Sequence, residues 1–284
     1  MSVVSVVVLT MGDRPEPLAA AIASARAQTA VDVEIVLVVN GGEPDRSLAD
    51  IVVDPGENLG IPGGRNAGAT AASGDLLCFL DDDGELLGDD VFSLATEMMN
   101  DRLDLAAIAL RIVDEIGETA RRHHPGLRGD PTVSSDVSSF PGGACILRRR
   151  AFDAVGAWCA PFFYGLEETD LAWRLIDEGW SIWFAADLRM RHPSTDPSRH
   201  PEFHARTARN RVWLAHRRLP LPVAVLYVMN WIIISCGRSW RQPDSLRSIL
   251  SGTMDGIRCP IGARAPMRWR SVLRLTRLGR PPVI

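Results

Sequence analysis

The 284-residue sequence contains no lysine; all 31 of its Lys+Arg residues are arginine. A Walker A phosphate loop and a pyridoxal Schiff base both require lysine, so those two chemistries are excluded. Cysteine is sparse and unpatterned. Cys78, Cys145, Cys159, Cys236 and Cys259 are odd in number and have no C-x-x-C spacing, which argues against a disulfide framework or zinc knuckle and for a reducing cytoplasm. No basic segment precedes the first apolar run, so Val3 to Leu9 reads as a strand and not as a secretory signal. At 46% hydrophobic and 23% charged, the chain falls outside the disordered, collagen-like and coiled-coil classes.

Charge is unevenly divided. Residues 1–198 hold 15 arginines against 32 carboxylates, a net −17, whereas residues 199–284 hold 16 against three, a net +13. A basic tail on an acidic body implies a polyanionic neighbour, either an anionic membrane or nucleic acid. No nucleic-acid motif accompanies the arginines, so no nucleic-acid partner is expected.

In the first half, apolar runs of strand length alternate with helical stretches. Val3 to Leu9, Glu34 to Val39, Ile51 to Val53 and Leu76 to Leu80 read as buried strands. Pro15 to Gln28, capped by Asp13, and Asn66 to Ser73 read as helices between them. This alternation predicts an α/β fold with a mostly parallel sheet covered on both faces. Ligands of such sheets bind outside the carboxyl ends of the strands, where Thr10, Asn40 and Asp81 lie. Further on, Asp104 to Val113 and Ser181 to Ala185 read as strands, Arg149 to Val155 and Glu168 to Glu178 as helices, and Arg121 to Ser139 as loop. The acidic, sheet-building pattern stops past Pro197. This divides the chain into a body, 1–198 (a nucleotide-binding half, 1–83, and an acceptor half, 84–198), and a helical, arginine-rich region, 199–284.

Asp81-Asp82-Asp83 closes an apolar strand. Three adjacent carboxylates there repel one another and call for a cation or solvent to offset them. In an extended chain Asp81 and Asp83 share a side, which suits a hard divalent cation together with substrate phosphates. Asp-Asp-Asp-Gly is also good turn chemistry, so a solvated turn is the plain alternative. A phosphatase of the haloacid-dehalogenase type also carries D-x-D-G after a strand, but it opens with that motif and uses a downstream lysine. The Gly60-Ile61-Pro62-Gly63-Gly64 run lacks the spacing and position of a dinucleotide-binding loop.

Taken in order, several segments resemble family 2 glycosyltransferases of the GT-A fold. They are Val6 to Thr10, Val38 to Gly42, Asn58 to Gly68, Phe79 to Asp83, Gly142-Gly143-Ala144, Arg148 to Phe152, Val155-Gly156, Phe162 to Gly165, Glu167 to Leu175, and His192. The resemblance implies a GT-A three-layer fold and an inverting enzyme that uses a nucleotide-activated sugar (UDP-, dTDP- or GDP-linked) with Mn2+ or Mg2+. Thr10 and Asn40 would line the nucleotide pocket, with Asp82 beside them. Arg65 and Asn66 would hold the nucleoside or its phosphates, with a helix-face salt bridge for Arg65 and a helix cap for Asn66 as the plain alternatives. Asp81 would approach the ribose or the metal, Asp83 would ligate the metal, and His192 would complete its site. Glu168 aligns with the general base, with Glu167 beside it and Asp170 stabilising this turn or the acceptor pocket; simple capping of a helix start accounts for the same three carboxylates. The sequence departs from the family pattern at Asn40 and Glu168, where aspartate is commoner, and at Leu166, which separates Gly165 from the acidic pair.

Leu219 to Cys236 is apolar but interrupted by Pro220, Pro222 and Asn230; a spanning helix, an interfacial helix and a packed core helix are all compatible with it. Met267 to Arg280 interleaves arginine with apolar residues, as a helix on anionic lipid would. The expectation is a cytoplasmic enzyme, peripheral on the inner face of the plasma membrane, acting on a glycan or lipid-linked acceptor of the cell envelope. A nucleotide-sugar pyrophosphorylase and an inactive nucleotide- or glycan-binding module are the competing readings.

Overall fold

The computed structural model describes residues 3–126, 129–193 and 202–283. The boundary expected near residue 200 lies outside the described residues.

The chain starts as β1 (Val3–Thr10), α1 (Pro15–Arg26), β2 (Asp32–Val39), β3 (Ile51–Val53), α2 (Gly60–Ala71) and β4 (Leu76–Asp81). β1 pairs in parallel with both β2 and β4, and β2 with β3. β1 and β2 are β-branched runs of the sequence, their central residues buried on both faces as a parallel sheet requires. After β4 come β5 (Glu85–Leu87), α3 (Val91–Asp101), β6 (Leu105–Val113), β7 (Ser135–Asp136), β8 (Ala144–Arg148), α4 (Arg149–Ala154), α5 (Glu167–Asp177) and β9 (Ser181–Arg191). The sheet runs β3-β2-β1-β4-β8-β6-β9-β5, with β7 also paired to β9.

β8 lies antiparallel to both β4 and β6, so the sheet is mixed and less parallel than expected. The two reversals cancel. β6 runs with β4, β9 runs parallel to β6, and the carboxyl end of β9 therefore meets those of β1, β2 and β4. This brings His192 within reach of the aspartates from more than a hundred residues away.

Two apolar layers cover the sheet. Val4, Val6 and Val8 face α1 and α3, with Leu18, Ile22, Phe92 and Met99. Val7, Phe79 and Leu147 face the opposite layer, which holds α4 and α5 together with α6 (Phe203–Arg218), α7 (Leu221–Arg238) and α9 (Trp269–Arg277). Trp213, Leu214, Tyr227 and Leu275 from these last helices share one core with Phe152 and Trp173. α8 (Pro243–Arg258) packs against α6.

Two local expectations change. Arg14, not Asp13, occupies the position before α1, and no side chain caps the helix; Pro15 begins it. α2 starts at Gly60, six residues before the expected Asn66, so the glycine run is helix and not loop. Its glycines let the helix approach the sheet: a Cβ at Gly64 would strike Leu9, and one at Gly68 would strike Val7 and Val38.

Candidate active site

The carboxyl ends of β1, β2, β4 and β9 open into a cavity of about 850 Å³, lined in part by Thr10, Asn40, Asn58, Arg65, Asp81, Asp82, Asp83 and His192. One wall is Phe163 and Tyr164, and another is Phe203 and Arg206 from the start of α6.

Asp81 is the last residue of β4. Its N–H donates to the Gly143 carbonyl at 3.0 Å, and its Oδ1 accepts from Arg65 Nη2 at 3.0 Å. Gly143 has to be glycine, because a Cβ there would overlap the Asp81 carboxylate; one at Gly142 would meet Arg65 and Glu168. Asp83 turns to the same side as Asp81, with Oδ1 3.1 Å from His192 Nε2, and His192 Nε2 lies 3.8 Å from Asp81 Oδ2. Ligand atoms of Asp81, Asp83 and His192 all fall within 4.8 Å of one another. Two hard carboxylates and a borderline imidazole form a donor set suited to Mn2+ or Mg2+ beside phosphate oxygens, and the residues fit such an ion.

The electrostatics agree with a cation-hungry cluster. Burial pushes the Asp83 carboxyl up, but the hydrogen bond and charge of His192 and the charge of Arg14 outweigh it and hold the group below its ordinary value. Burial pushes the His192 imidazole down, yet its bond to Asp83 and the charges of both aspartates leave it raised. Asp82 faces the other way. It is buried, accepts from Thr10 Oγ1 at 2.6 Å and pairs with Arg14 at 2.6 Å, and burial lifts its carboxyl to about 6.

Arg14 was not singled out by sequence, since a residue between a turn and a helix-starting proline carries no motif. Its guanidinium bridges Asp82 and Asp83. His123 was also missed. It comes from the loop after β6, its ring centroid 6.1 Å from that of His192, and burial and Arg122 push it down to about 4.

Asn40 lines the cavity, but its amide is engaged: Nδ2 donates to Asn58 Oδ1 at 2.9 Å and Oδ1 accepts from Leu59 N at 2.9 Å. Asn40 therefore shapes the pocket wall by fixing the entry to α2. Two expectations need correction. Asn66 does not line the cavity; its side chain clasps the Trp158 backbone, donating to the carbonyl at 2.9 Å and accepting from the N–H at 3.0 Å. Asp170 is fully buried away from the cavity, with Oδ2 held by Arg174 at 2.8 Å and Oδ1 by Arg218 at 2.7 Å. Nothing in either residue's type distinguishes a ligand contact from such a tie.

Glu167 and Glu168 begin α5. Glu167 is buried, lies 3.8 Å from Arg65 Nη1, and leaves Oε2 without a partner. Burial and the neighbouring Glu168 hold its proton more tightly, and burial likewise raises Glu168, which is largely buried and packs beside Gly142. The turn before α5 is conformationally demanding, with positive φ at Phe163 (63°), Gly165 (84°) and Leu166 (71°). It is held by Asn210 of α6, a residue unnoticed in the sequence. Asn210 Nδ2 reaches the carbonyls of Phe162 and Tyr164 at 3.0 Å and of Gly165 at 2.9 Å.

A family model described as glycosyl transferase family 2 matches residues 5–156, more than half of the chain. The chain belongs to glycosyl transferase family 2. Among curated proteins no sequence matches it. Several solved structures share the fold of this family 2 protein at low identity. GalNAc-T7 with UDP, GalNAc and Mn2+ superimposes with a TM-score of 0.64 at 16% identity, over 92% of this chain and 55% of that one. This chain thus spans about half the length of GalNAc-T7. S. aureus TarS 1-349 with UDP-GlcNAc gives 0.63 at 12% identity, over 90% and 82% of the two chains. The mannosyltransferase PcManGT from Pyrobaculum calidifontis, with GDP-Man and Mn2+, gives 0.58 at 13%, over 96% and 78%. The GT-A fold expected from sequence is the fold observed.

Proposed function

We propose that this family 2 glycosyltransferase is metal-dependent and inverting, moving a sugar from a nucleoside-diphosphate donor to an acceptor hydroxyl. The observation that carries this reading is the convergence of Asp81, Asp83 and His192 at the floor of the 850 Å³ cavity. The three similar structures named above were each solved with a nucleotide or nucleotide sugar, and two of them with Mn2+, which supports a donor of that class.

Asp81, Asp83 and His192 would hold a divalent cation, and that cation would offset charge developing on the leaving diphosphate. Thr10, Asn40 and Asn58 form the wall against which the nucleoside lies. Arg65 holds Asp81 in place through Nη2 and faces the buried Glu167 carboxylate with Nη1. Glu168 takes the proton of the attacking hydroxyl. Its raised affinity for protons makes its carboxylate a stronger base than an exposed one. Backside attack on the anomeric carbon forms the new C–O bond as the bond to the diphosphate breaks, so configuration inverts. Glycan or lipid-linked acceptors fit the aromatic wall of Phe163, Tyr164 and Phe203 beside the cavity.

Calorimetric titration of UDP-, dTDP- and GDP-sugars, with and without Mn2+, tests the reading on wild type and Asp83→Ala. One donor class is expected to bind only with the metal, and Asp83→Ala to lose that binding. Metal-independent binding, or binding of none, would overturn the proposal. Glu168→Gln should keep donor binding and lose transfer by about 10²–10⁴-fold; full transfer would move the base to Glu167.

A further inference from the structure

α7 is the most apolar helix of the chain and the one described helix long and apolar enough to cross a membrane. Only one face of it is used in the fold. Val223, Ala224 and Tyr227 are buried, Asn230 Nδ2 donates to the Val283 carbonyl at 2.9 Å, and Trp231 carries the Arg211 guanidinium at 3.8 Å. These inward contacts are partly polar and specific to the protein, so α7 is not a lipid-surrounded span.

The opposite face is bare. Leu221, Val225, Leu226, Met229 and Ile233 are between 50% and 66% exposed and recur at helical spacing as one stripe. Monomeric soluble proteins rarely leave such a stripe uncovered. Just past its end stands Trp240, 65% exposed, with Arg241 stacked on it at 4.4 Å. An apolar stripe ended by an indole and a guanidinium is the chemistry of a bilayer interface.

The charge around the stripe selects the occupant. Some tail arginines are committed to the protein: Arg218 to Asp170, Arg268 to Asp177, Arg247 to Asp244. Arg238, Arg241, Arg258, Arg270 and Arg277 are exposed and form no ion pair with a described residue. With a net +13 over residues 199–284, this region complements an anionic surface and repels a second copy of itself.

We propose that the α7 stripe, with Trp240 and the unpaired arginines, seats the protein on an anionic lipid bilayer, α7 lying in the headgroup region parallel to the surface. α6, on which α7 packs, carries Phe203 and Arg206 into the wall of the cavity, so the bilayer lies one helix away from that opening. The proposal stands apart from the transferase reading.

Flotation of the full chain with phosphatidylglycerol/phosphatidylcholine vesicles, and with phosphatidylcholine alone, tests it. Binding is expected to the anionic vesicles and to fall with salt. The triple variant Val225→Asp, Met229→Asp, Ile233→Asp should abolish it. Arg238→Ser with Arg241→Ser, both exposed and outside the core, should weaken it roughly fivefold per arginine. Retained melting temperature and circular dichroism confirm that each variant is folded; the arginine pair decides the matter if the triple variant is not. No binding to anionic vesicles, equal binding to neutral ones, or wild-type binding by a folded variant would overturn the proposal. So would a wild-type dimer in light scattering that the triple variant dissociates while vesicle binding is unchanged.

Discussion

Replacing Asp170 with alanine should unfold this protein more readily without touching its chemistry. The Asp170 carboxylate is fully buried and takes hydrogen bonds from Arg174 on its own helix and Arg218 on α6. Arg174 in turn donates to the carbonyls of Val155 and Ala157, so one carboxylate organises α5, α6 and the chain after α4. Removing it leaves two largely buried guanidiniums facing each other with no counter-charge. Breaking a buried pair in this way costs about 3–5 kcal/mol. Against a total of about 5–15 kcal/mol, and about 2–4 °C per kcal/mol, the melting temperature should drop by roughly 6–20 °C. The pH dependence provides a second readout. Burial pushes Asp170 up, but Arg174 and Arg218 outweigh it and hold the carboxyl below the ordinary 3.8. Its stabilising contribution is therefore complete above that value and lost as pH falls through the lower folded one. The gap between wild type and Asp170→Ala should be constant from neutral pH down to about 5 and close only in acid. Thermal and urea denaturation across that range measure it, with donor binding followed below the variant's melting point. Unchanged stability with abolished transfer would refute the structural assignment and return Asp170 to the catalytic group.

Gly143→Ala places a methyl group against the Asp81 carboxylate and should weaken Mn2+ binding about tenfold or more, measured by paramagnetic resonance titration; wild-type affinity would contradict the packing argument. Asp82 behaves in the opposite sense to Asp170. Because burial raises its carboxyl to about 6, the folded state holds that proton better than the unfolded chain, and the contribution to stability is lost as pH rises between about 4 and 6. In EDTA, Asp82→Asn should therefore gain about 2–3 kcal/mol on wild type at neutral pH relative to its position in acid. A gap independent of pH would reject that account.

The legible parts of the fold were those where one residue type has one physical use. Val3 to Leu9 and Glu34 to Val39 are, but for Ser5 and Glu34, apolar and mostly β-branched, which a strand buried on both faces accommodates, and β1 and β2 lie there. Asp81 and Asp83 were legible because alternate residues of an extended chain face one way, and the structure places them together with His192. The unread parts depend on tertiary partners. Glycine at 60 and 64 looks like loop until Phe163 and Leu9 occupy the space a Cβ would need. The antiparallel insertion of β8 has no local mark, since Ala144 to Leu147 is equally apolar in either direction. Arg14 acquires meaning only when β4 delivers Asp82 and Asp83 beside it. Asn66 shows the converse: a polar side chain in the right segment can be used entirely on distant backbone, here that of Trp158, as Asp170 is used on its two arginines.

Asn210 extends that argument beyond residues 5–156 and makes the α6 contribution testable. Its single amide group serves three carbonyls of a turn that holds Phe163 and Leu166 at positive φ. Neither residue favours that conformation, so the turn persists because its surroundings over-determine it. The same turn accepts from Ile61 N on α2 at 2.8 Å and leads directly into Glu167 and Glu168. Asn210→Leu leaves the Tyr164 and Gly165 carbonyls without their amide donor, while Phe162 keeps Arg209 Nη2 at 3.2 Å, a cost of about 1–3 kcal/mol for each one not re-satisfied. A relaxed turn would shift the α5 carboxylates relative to the metal-side aspartates, and a displacement near 1 Å costs about 10²-fold in rate. The expected signature is a loss of kcat of about that size, with Mn2+ affinity unchanged because Asp81, Asp83 and His192 stand at or just past the ends of β4 and β9. Asn210→Asp should be at least as damaging, since a carboxylate would face the same carbonyls, whereas His substitution, which restores an N–H donor, should recover part of the rate. A wild-type kcat in a folded Asn210→Leu protein would detach α6 from the reaction and leave the turn to hold itself.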